Sequence, residues 1–278
     1  MDLYLRNAID CSRITTRNYS TSFASGIRML HRRFHDPVYA VYGFVRYADE
    51  IVDTFFEQDQ QALIREFREA AFGAIQRNFS TNPILHSFQW VVNRYRIDHA
   101  LIDAFLRSME MDLEAKNHDR QGFSTYVYGS AEVVGLMCLK IFCDGDDTSY
   151  SMLTPPARRL GEAFQKVNFL RDLRSDFVDR GRTYFPDLDM SVFDQERKQL
   201  LEKEIQDDFN AALEGIRLLR RDARLGVYIT YAYYLKLFRK IQKTPATALM
   251  EKRIRIPNCR KFWILLVSYL KNHIGFIH

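Results

Sequence analysis

The 278-residue sequence lacks the short motifs that mark the commonest nucleotide-dependent and hydrolytic enzymes. It has no phosphate loop GxxxxGK[ST], no dinucleotide fingerprint GxGxxG, no HExxH and no GxSxG. Its seven histidines show no metal-ligand spacing. A nicotinamide-dependent step therefore has no support in the residues, and we expect no requirement for NADPH.

Cysteine is scarce, and its four positions (11, 138, 143 and 259) form no CxxC pair. This usage is typical of reduced thiols in a cytosolic protein. The first residues have neither the basic nor the apolar region of a signal peptide, and no apolar run approaches the roughly 20 residues of a membrane span. The best candidate, residues 262–270, favours a core helix. We therefore expect a cytoplasmic protein, with peripheral contact at the inner face of the membrane as an open alternative.

A strong charge imbalance is also lacking, because 40 Lys and Arg oppose 35 Asp and Glu, a net charge of +5. Without a clustered basic stripe, nucleic acid is not expected as a partner, whereas a phosphorylated substrate or an anionic membrane surface is compatible. No flexible linker, low-complexity run or repeat interrupts a chain that is 47% hydrophobic. These features predict one all-α domain over residues 1–278.

Two pairs of aspartates stand out, Asp49 with Asp53 and Asp172 with Asp176, and Asn168 precedes the second pair by four residues. Four-residue spacing places each set on one helix face, where like charges repel. A single such pair is most often a solvated acidic face. Both pairs, however, lie among apolar residues, and buried carboxylates need a counter-ion or a metal. We therefore predict that the two helices face each other across a core and hold several Mg²⁺ ions, or Mn²⁺ in their place, and through them a diphosphate.

Helix signals elsewhere predict where further elements begin and end. Asp36-Pro37 and Asn82-Pro83 are typical helix starts, and Pro155-Pro156 is predicted to open the helix that carries Asp172. The helix over 98–117 is rich in charge, and most of that charge, including Asp112, is expected to face solvent. Further helices are predicted over residues 3–20, 58–77, 196–222 and 223–242.

The stretch 126–139 is nearly uncharged, yet Gly129, Ser130, Ala131 and Gly135 interrupt it. Glycine within a helix costs about 1 kcal/mol relative to alanine, so small residues here indicate close approach by another helix or by a ligand. Two interpretations stay open. The stretch is either a locally unwound wall of a tunnel for an apolar chain, or a tightly packed helix interface.

Taken together, these motifs resemble those of the squalene/phytoene synthase family, in particular its short bacterial members. The resemblance runs from about residue 19 to residue 261 and rests on four groups of residues: Arg46, Asp49 and Asp53; Tyr126, Gly129 and Gly135; Gln165, Asn168, Arg171, Asp172 and Asp176; and Gly181, Arg182, Tyr184 and Pro186. Three departures are Glu50, where many members have Asp, Glu132, in a stretch that is usually small and uncharged, and Thr244-Pro245-Ala246, where some bacterial members have a substrate-facing tyrosine.

The resemblance implies an all-α isoprenoid-synthase helical bundle with a central cavity. It assigns Mg²⁺ to Asp49, Asp53, Asn168, Asp172 and Asp176. It assigns diphosphate contacts to Ser20, Ser22, Arg46 and Arg171, the substrate site to Tyr42 and Gln165, and a place beside the departing diphosphate to Tyr126. The four aspartates and Tyr126 are the catalytic candidates.

The activity implied is a prenyl transfer in carotenoid biosynthesis. Two geranylgeranyl diphosphates are expected to condense head to head through a cyclopropylcarbinyl diphosphate, giving phytoene. The alternative is a C30 synthase of the dehydrosqualene or squalene type that uses farnesyl diphosphate. An alternative of another class is a non-catalytic assembly or scaffold member of the family, which degenerate aspartates would mark; none of the four is degenerate here.

Overall fold

The computed structural model describes residues 1–114, 119–174, 185, 193–251 and 254. This part of the chain is almost entirely helical and contains no β-strand, which confirms the all-α prediction. The α-helices are α1 (Leu3–Tyr19), α2 (Thr21–Arg28), α3 (His35–Thr54), α4 (Gln60–Arg77), α5 (Pro83–Tyr95), α6 (His99–Glu114), α7 (Arg120–Val127), α8 (Val133–Cys143), α9 (Asp147–Arg174), α10 (Gln195–Leu218), α11 (Arg221–Gln242) and α12 (Ala246–Leu249).

Side-chain caps explain several of these boundaries. The carboxylate of Asp2 accepts from the backbone N–H of Leu5 and so caps α1, and Asp194 caps α10 in the same way. Asn82 caps α5 with Pro83 in its first turn, as predicted. Helix α4 ends where Asn78 adopts a left-handed conformation with φ of 55°.

Two predicted helix starts are wrong. Helix α3 begins at His35, so Asp36 lies in its first turn and forms an ion pair with Arg13 at 2.9 Å. Helix α9 begins at Asp147 and carries Pro155 and Pro156 in its interior. Gly215 of α10 leaves room for this, because a Cβ at that position would come within 2.4 Å of the Pro156 ring. Gly215 therefore allows α10 to pack closely against the Pro156 ring.

The buried residues form two apolar clusters. One surrounds α3 and includes Phe44, whose ring stacks on Phe88 at a centroid distance of 3.8 Å. The other lies between α9, α10 and α11 and centres on Phe209 and Phe238. Val227 of α11 packs against both clusters. The prediction that residues 1–278 form one domain stays a prediction.

A π-helical segment, Tyr128–Glu132, joins α7 to α8. Both interpretations of its small residues apply. Gly129 packs against α6, since a Cβ there would come within 2.5 Å of the Ala104 carbonyl oxygen, whereas Ser130, Ala131 and Gly135 line a central cavity. The continuous helical stretch Arg120–Cys143 is long and apolar enough to cross a membrane by length and composition alone. Most of its apolar part is buried within the protein, as in the core helix of a soluble protein.

Candidate active site

A cavity of about 340 Å³ lies between α3 and α9 and is closed by residues of α2, α8, α10 and α11. Along both α3 and α9 its lining changes from apolar near the helix start to polar towards the helix end. At the polar end are Asp49, Gln165 and Asn168; at the apolar end are Leu30, Val38, Phe142, Leu153 and Leu219. The cavity is therefore amphipathic, with its carboxylate and amide groups at one end.

Asp49 projects into this polar end from α3, about two turns beyond Tyr42. Burial, reinforced by the charges of Asp53, Asp112 and Glu50, raises the pKa of Asp49 to about 7, although Arg46 opposes the shift. About 32% of the side chain is accessible, because it borders the open cavity while protein surrounds it on its other sides. Burial is thus the main cause of the raised pKa, and the positive charge of Arg46 offsets it only in part.

Arg46 is held by the carboxylates of its own helix. Its guanidinium pairs with Glu50, lies 3.9 Å from Asp49 Oδ2 and stacks over the Tyr19 ring at 4.3 Å. Arg46 and Glu50 line a groove next to the cavity rather than the cavity itself. The Nε atom of Arg46 is buried with no hydrogen-bond partner among the described residues, which leaves one N–H donor of this guanidinium for a ligand.

On α9, Gln165 and Asn168 both reach the cavity. The Asn168 amide nitrogen lies 3.5 Å from Gln165 Oε1, whereas its Oδ1 is buried with no hydrogen-bond partner among the described residues. Tyr234 of α11 lies close enough to Asn168 to interact with it electrostatically, and its ring stacks on Phe164 at 4.0 Å. The sequence indicated Tyr234 only as part of an aromatic patch, and the structure brings it to the site.

In the last part of the α9 motif, the adjacent residues Arg171 and Asp172 form an ion pair with each other. Arg171 donates to both carboxylate oxygens of Asp172, with its Nη2 at 2.6 Å from Oδ2. Neither side chain lines the cavity. Asp176 lies outside the described residues, and so do Gly181, Arg182, Tyr184 and Pro186 of the predicted motif.

The serines of the predicted diphosphate site lie at the start of α2. Ser20 caps this helix by accepting from the Phe23 backbone N–H at 3.2 Å, and its side chain also hydrogen-bonds with Tyr42. Burial raises the pKa of Tyr42 to about 12, so the phenol stays protonated. Ser22 is half-buried and does not line the cavity. Ser20 thus does not line the cavity itself but interacts with Tyr42, which does.

Tyr126 is buried, and its hydroxyl donates to Asp112 Oδ2 at 2.8 Å. The expectation that Asp112 faces solvent is wrong, because this carboxylate is also buried and its charge acts on Asp49. Sequence reasoning missed Asp112, since it lies in a charged run with Asp103, Arg107 and Glu110. A helical wheel would have placed it with the buried Ser108 and Met109.

The donor groups of this site fit a hard divalent cation. The carboxyl group of Asp49 borders the cavity, and the Asn168 carbonyl oxygen has no hydrogen-bond partner among the described residues; oxygen ligands of these two kinds suit Mg²⁺. Among the described residues no three His, Cys, Asp or Glu side chains converge closely enough to form a metal cluster, and that set excludes Asp176.

Comparison with known proteins gives one consistent result. The family model for squalene/phytoene synthase matches residues 16–260. This chain belongs to the squalene/phytoene synthase family. Members of this family are prenyltransferases, and the residues that the sequence indicated as catalytic lie within the matched region.

Individual relatives are distant but cover most of the chain. The chain is 27% identical to a 15-cis-phytoene synthase of Synechococcus elongatus over 94% of its length and 92% of that protein. It is 24% identical to a 4,4'-diapophytoene synthase of Staphylococcus haemolyticus over 82% and 85%. Among solved structures, a dehydrosqualene synthase in complex with ligand superposes with a TM-score of 0.82 at 23% identity, over 96% of this chain and 98% of that one. This similarity confirms the isoprenoid-synthase helical fold.

Proposed function

We propose that this prenyltransferase joins two molecules of geranylgeranyl diphosphate head to head and forms phytoene by way of a cyclopropylcarbinyl diphosphate. The observation that carries the proposal is the amphipathic cavity, with Asp49 and Asn168 at one end and an apolar lining over the rest. An isoprenoid diphosphate has the same division between an anionic head and a long apolar chain. Members of the family act on substrates of this kind.

We assign Mg²⁺ to Asp49, Asp53, Asn168, Asp172 and Asp176. The position of Asp49 at the polar end of the cavity and the unpartnered Oδ1 of Asn168 support the assignment. Bound Mg²⁺ would neutralise a diphosphate and make it a better leaving group. The proposal requires Asp172 to release Arg171, or to bind metal while it keeps that ion pair, since the two groups contact each other.

The other polar groups bind and orient the diphosphates. Arg46 has a free Nε donor, and Arg171 lies near Asn168 at the C-terminal end of α9. Both arginines are therefore assigned to diphosphate oxygens. Tyr42, neutral and hydrogen-bonded with Ser20, and Gln165 line the substrate site. Tyr126 is assigned a place beside the departing diphosphate, where its hydrogen bond to Asp112 fixes the ring.

The apolar walls exclude water from the reacting carbons. Leu160, Phe164 and Val134 surround the cavity below its polar end. An allylic cation formed there meets carbon–carbon double bonds rather than water, which favours attack by the double bond of the second substrate. Without a reductant the product keeps its central double bond.

The length of the substrate is the finer part of the proposal. The Synechococcus relative, a 15-cis-phytoene synthase, supports the C40 reaction. The dehydrosqualene synthase structure favours the alternative, a C30 reaction from farnesyl diphosphate. The staphylococcal 4,4'-diapophytoene synthase is similar to this chain over a comparable length.

The decisive experiment incubates purified protein with Mg²⁺ and either diphosphate, without NADPH, and measures the mass of the extracted hydrocarbon. We expect a C40 product from geranylgeranyl diphosphate that is lost with EDTA and in Asp172→Ala. The matched control is Asp10→Ala, which removes a surface carboxylate paired with Arg13 and leaves the product unchanged. A C30 product would mean that the substrate is farnesyl diphosphate. Folded protein that forms no product from either diphosphate would favour the scaffold alternative.

Membrane contact is a separate proposal, based on the apolar substrate and product. Sedimentation with liposomes tests it. Protein that stays in the supernatant, with and without product, contradicts it.

A further inference from the structure

Ser130 differs from the other hydroxyl-bearing residues in the helices around it. Its Oγ is buried and has no hydrogen-bond partner among the described residues. Helical serine and threonine usually donate to the carbonyl four residues earlier, and this chain follows that rule at Thr125 with Gln121, Thr154 with Tyr150 and Thr230 with Gly226. Ser130 lies in the π-helical segment, where the backbone spacing is altered, and it lines the cavity.

The packing of α7 and the π-helical segment against α9 indicates how deep Ser130 lies. A Cβ on Gly161 would come within 2.8 Å of Glu132 Cα, and the Tyr126 ring lies 6.0 Å from the Phe169 ring. Ser130 therefore lies beside α9 between Gly161 and Phe169. At 1.5 Å of rise per residue this is roughly 5–10 Å below the level of Asn168. A carbon joined to a diphosphate at the Asn168 end would lie near this depth.

The surroundings of Ser130 narrow down the partner it can have. The described residues that line the cavity include no Lys, Arg or His, and the buried carboxylate of nearby Glu132 is already paired with Arg158, so no counter-charge for a second diphosphate lies next to Ser130. The prenyl chain itself offers no hydrogen-bond acceptor. What remains is the positive charge that forms on the allylic carbons, towards which the hydroxyl oxygen can direct its lone pairs in an apolar environment.

We propose that Ser130 is a catalytic residue whose hydroxyl oxygen stabilises the carbocation formed from the allylic diphosphate. This inference rests on the proposed function. It adds a neutral group to the site, acting on the carbon skeleton rather than on the diphosphate. A neutral oxygen is suited to that role, since a carboxylate at the same place would be alkylated by the cation or would repel the diphosphate.

Ser130→Ala tests the proposal. The folded protein should not lose stability, because the hydroxyl has no partner to lose and alanine is a better helix former. We expect kcat to fall roughly tenfold, the factor that corresponds to about 1.4 kcal/mol of lost transition-state stabilisation. The matched control is Thr125→Val on the preceding helical turn, which removes an exposed hydroxyl already bonded to Gln121 and should leave kcat unchanged.

A binding measurement separates this role from a structural one. The probes are a prenyl ammonium ion, in which nitrogen replaces the cationic carbon, and its neutral carbon analogue, each titrated with Mg²⁺ and inorganic pyrophosphate present. Ser130→Ala should weaken the ammonium probe roughly tenfold and leave the neutral one unchanged. An unchanged affinity ratio together with an unchanged kcat overturns the proposal.

Three other outcomes also decide the matter. If the wild-type protein releases a prenyl alcohol that Ser130→Ala abolishes without slowing hydrocarbon formation, Ser130 positions a water molecule and the proposal is wrong. If the wild-type protein forms no product from either diphosphate, the proposed function is wrong, and the inference about Ser130, which rests on it, is wrong as well. A product formed by wild type and by Ser130→Ala at equal rates removes only the inference.

Discussion

The hydroxyl of Tyr126 donates a 2.8 Å hydrogen bond to Oδ2 of Asp112, and both side chains are buried. The negative charge of Asp112 also contributes to the raised pKa of Asp49. The Asp112 carboxylate therefore has two effects. It holds the Tyr126 ring in place, and it adds negative charge near the polar end of the cavity.

Replacing each partner should separate these two effects. Tyr126→Phe is expected to cost about 1–3 kcal/mol of stability, because it removes a hydrogen bond to a buried carboxylate. Asp112→Asn should lower the pKa of Asp49, so that the acid limb of the kcat/KM profile moves to lower pH. Chemical denaturation and a pH–rate profile at limiting Mg²⁺ measure the two effects. An acid limb that does not move in Asp112→Asn contradicts the coupling to Asp49.

Asp49 makes the stability of the metal-free protein depend on pH. Burial and neighbouring charges raise its pKa from 3.8 to about 7 in the folded protein, so the folded state retains a proton that the unfolded chain releases. Stability should therefore fall as pH rises from about 4 to about 7. Urea unfolding in EDTA at pH 5 and pH 8 should show this fall in wild type and a smaller one in Asp49→Asn.

Mg²⁺ provides the complementary test of Asp49. The metal binds the deprotonated carboxylate. Adding Mg²⁺ at pH 8 should therefore stabilise the wild-type protein more than it stabilises Asp49→Asn. Apparent affinity for Mg²⁺ should weaken as pH falls below about 7. Equal stabilisation of the two proteins by Mg²⁺ would show that Asp49 is not a ligand.

Asn168 and Asn93 form a matched pair of asparagines. Asn168 has an unpartnered Oδ1 in the cavity, whereas the Asn93 amide nitrogen donates to Ile75 O at 3.0 Å and to Asn78 Oδ1 at 2.8 Å. Asn168→Ala should raise the Mg²⁺ concentration for half-maximal activity by roughly tenfold or more and cost little stability. Asn93→Ala should cost about 1–2 kcal/mol and leave the Mg²⁺ dependence unchanged. Loss of stability in both variants with no change in Mg²⁺ dependence would make Asn168 structural.

The extent to which the site could be predicted differs from residue to residue. Asp49 and Asn168 were predicted to face a common cavity because their four-residue spacing and apolar neighbours are visible along the chain, and both do line it. Arg46 was placed on the same face, but its partner Glu50 is one turn away and draws the guanidinium towards the adjacent groove. A local ion pair of this kind competes with the stripe that periodicity predicts.

Tertiary packing explains the remaining differences. The start of α9 could not be predicted, because the close packing against Pro156 depends on Gly215, a residue of another helix. The burial of Asp112 depends on Tyr126, which approaches it from α7. The unpartnered hydroxyl of Ser130 depends on a π-helical turn that small residues indicated only as a local unwinding. Helix type and order followed from local signals, whereas these contacts required the assembled fold.

Glu132, one of the residues that depart from the family pattern, forms an ion pair with Arg158. Its buried carboxylate accepts from Arg158 Nε at 2.5 Å, and Arg158 also stacks over the Tyr128 ring at 5.1 Å. Arg158→Ala should destabilise the protein by roughly 2 kcal/mol, less than for a fully buried pair because Arg158 is half-exposed. Glu132→Gln in the Arg158→Ala background should recover part of this loss. Additive effects in the double variant would contradict the pairing.

The apolar end of the cavity should control the length of the prenyl chain. Leu153 of α9 is 4% exposed and lines this end together with Leu30 and Phe142. Leu153→Phe adds volume where the distal isoprene unit of a longer substrate would lie. We expect kcat/KM for geranylgeranyl diphosphate to fall roughly tenfold relative to farnesyl diphosphate, since a filled pocket discriminates by a few methylene groups.

The control for this change is Leu200→Phe, an equal increase in volume at a residue that is 62% exposed. It should leave the ratio of the two kcat/KM values unchanged. If Leu153→Phe lowers both values equally while the fold is retained, Leu153 contacts a portion that both chains share, and the cavity must accommodate the distal unit elsewhere. If only the longer substrate is affected, the distance from Asn168 to the apolar end measures the chain that the enzyme accepts.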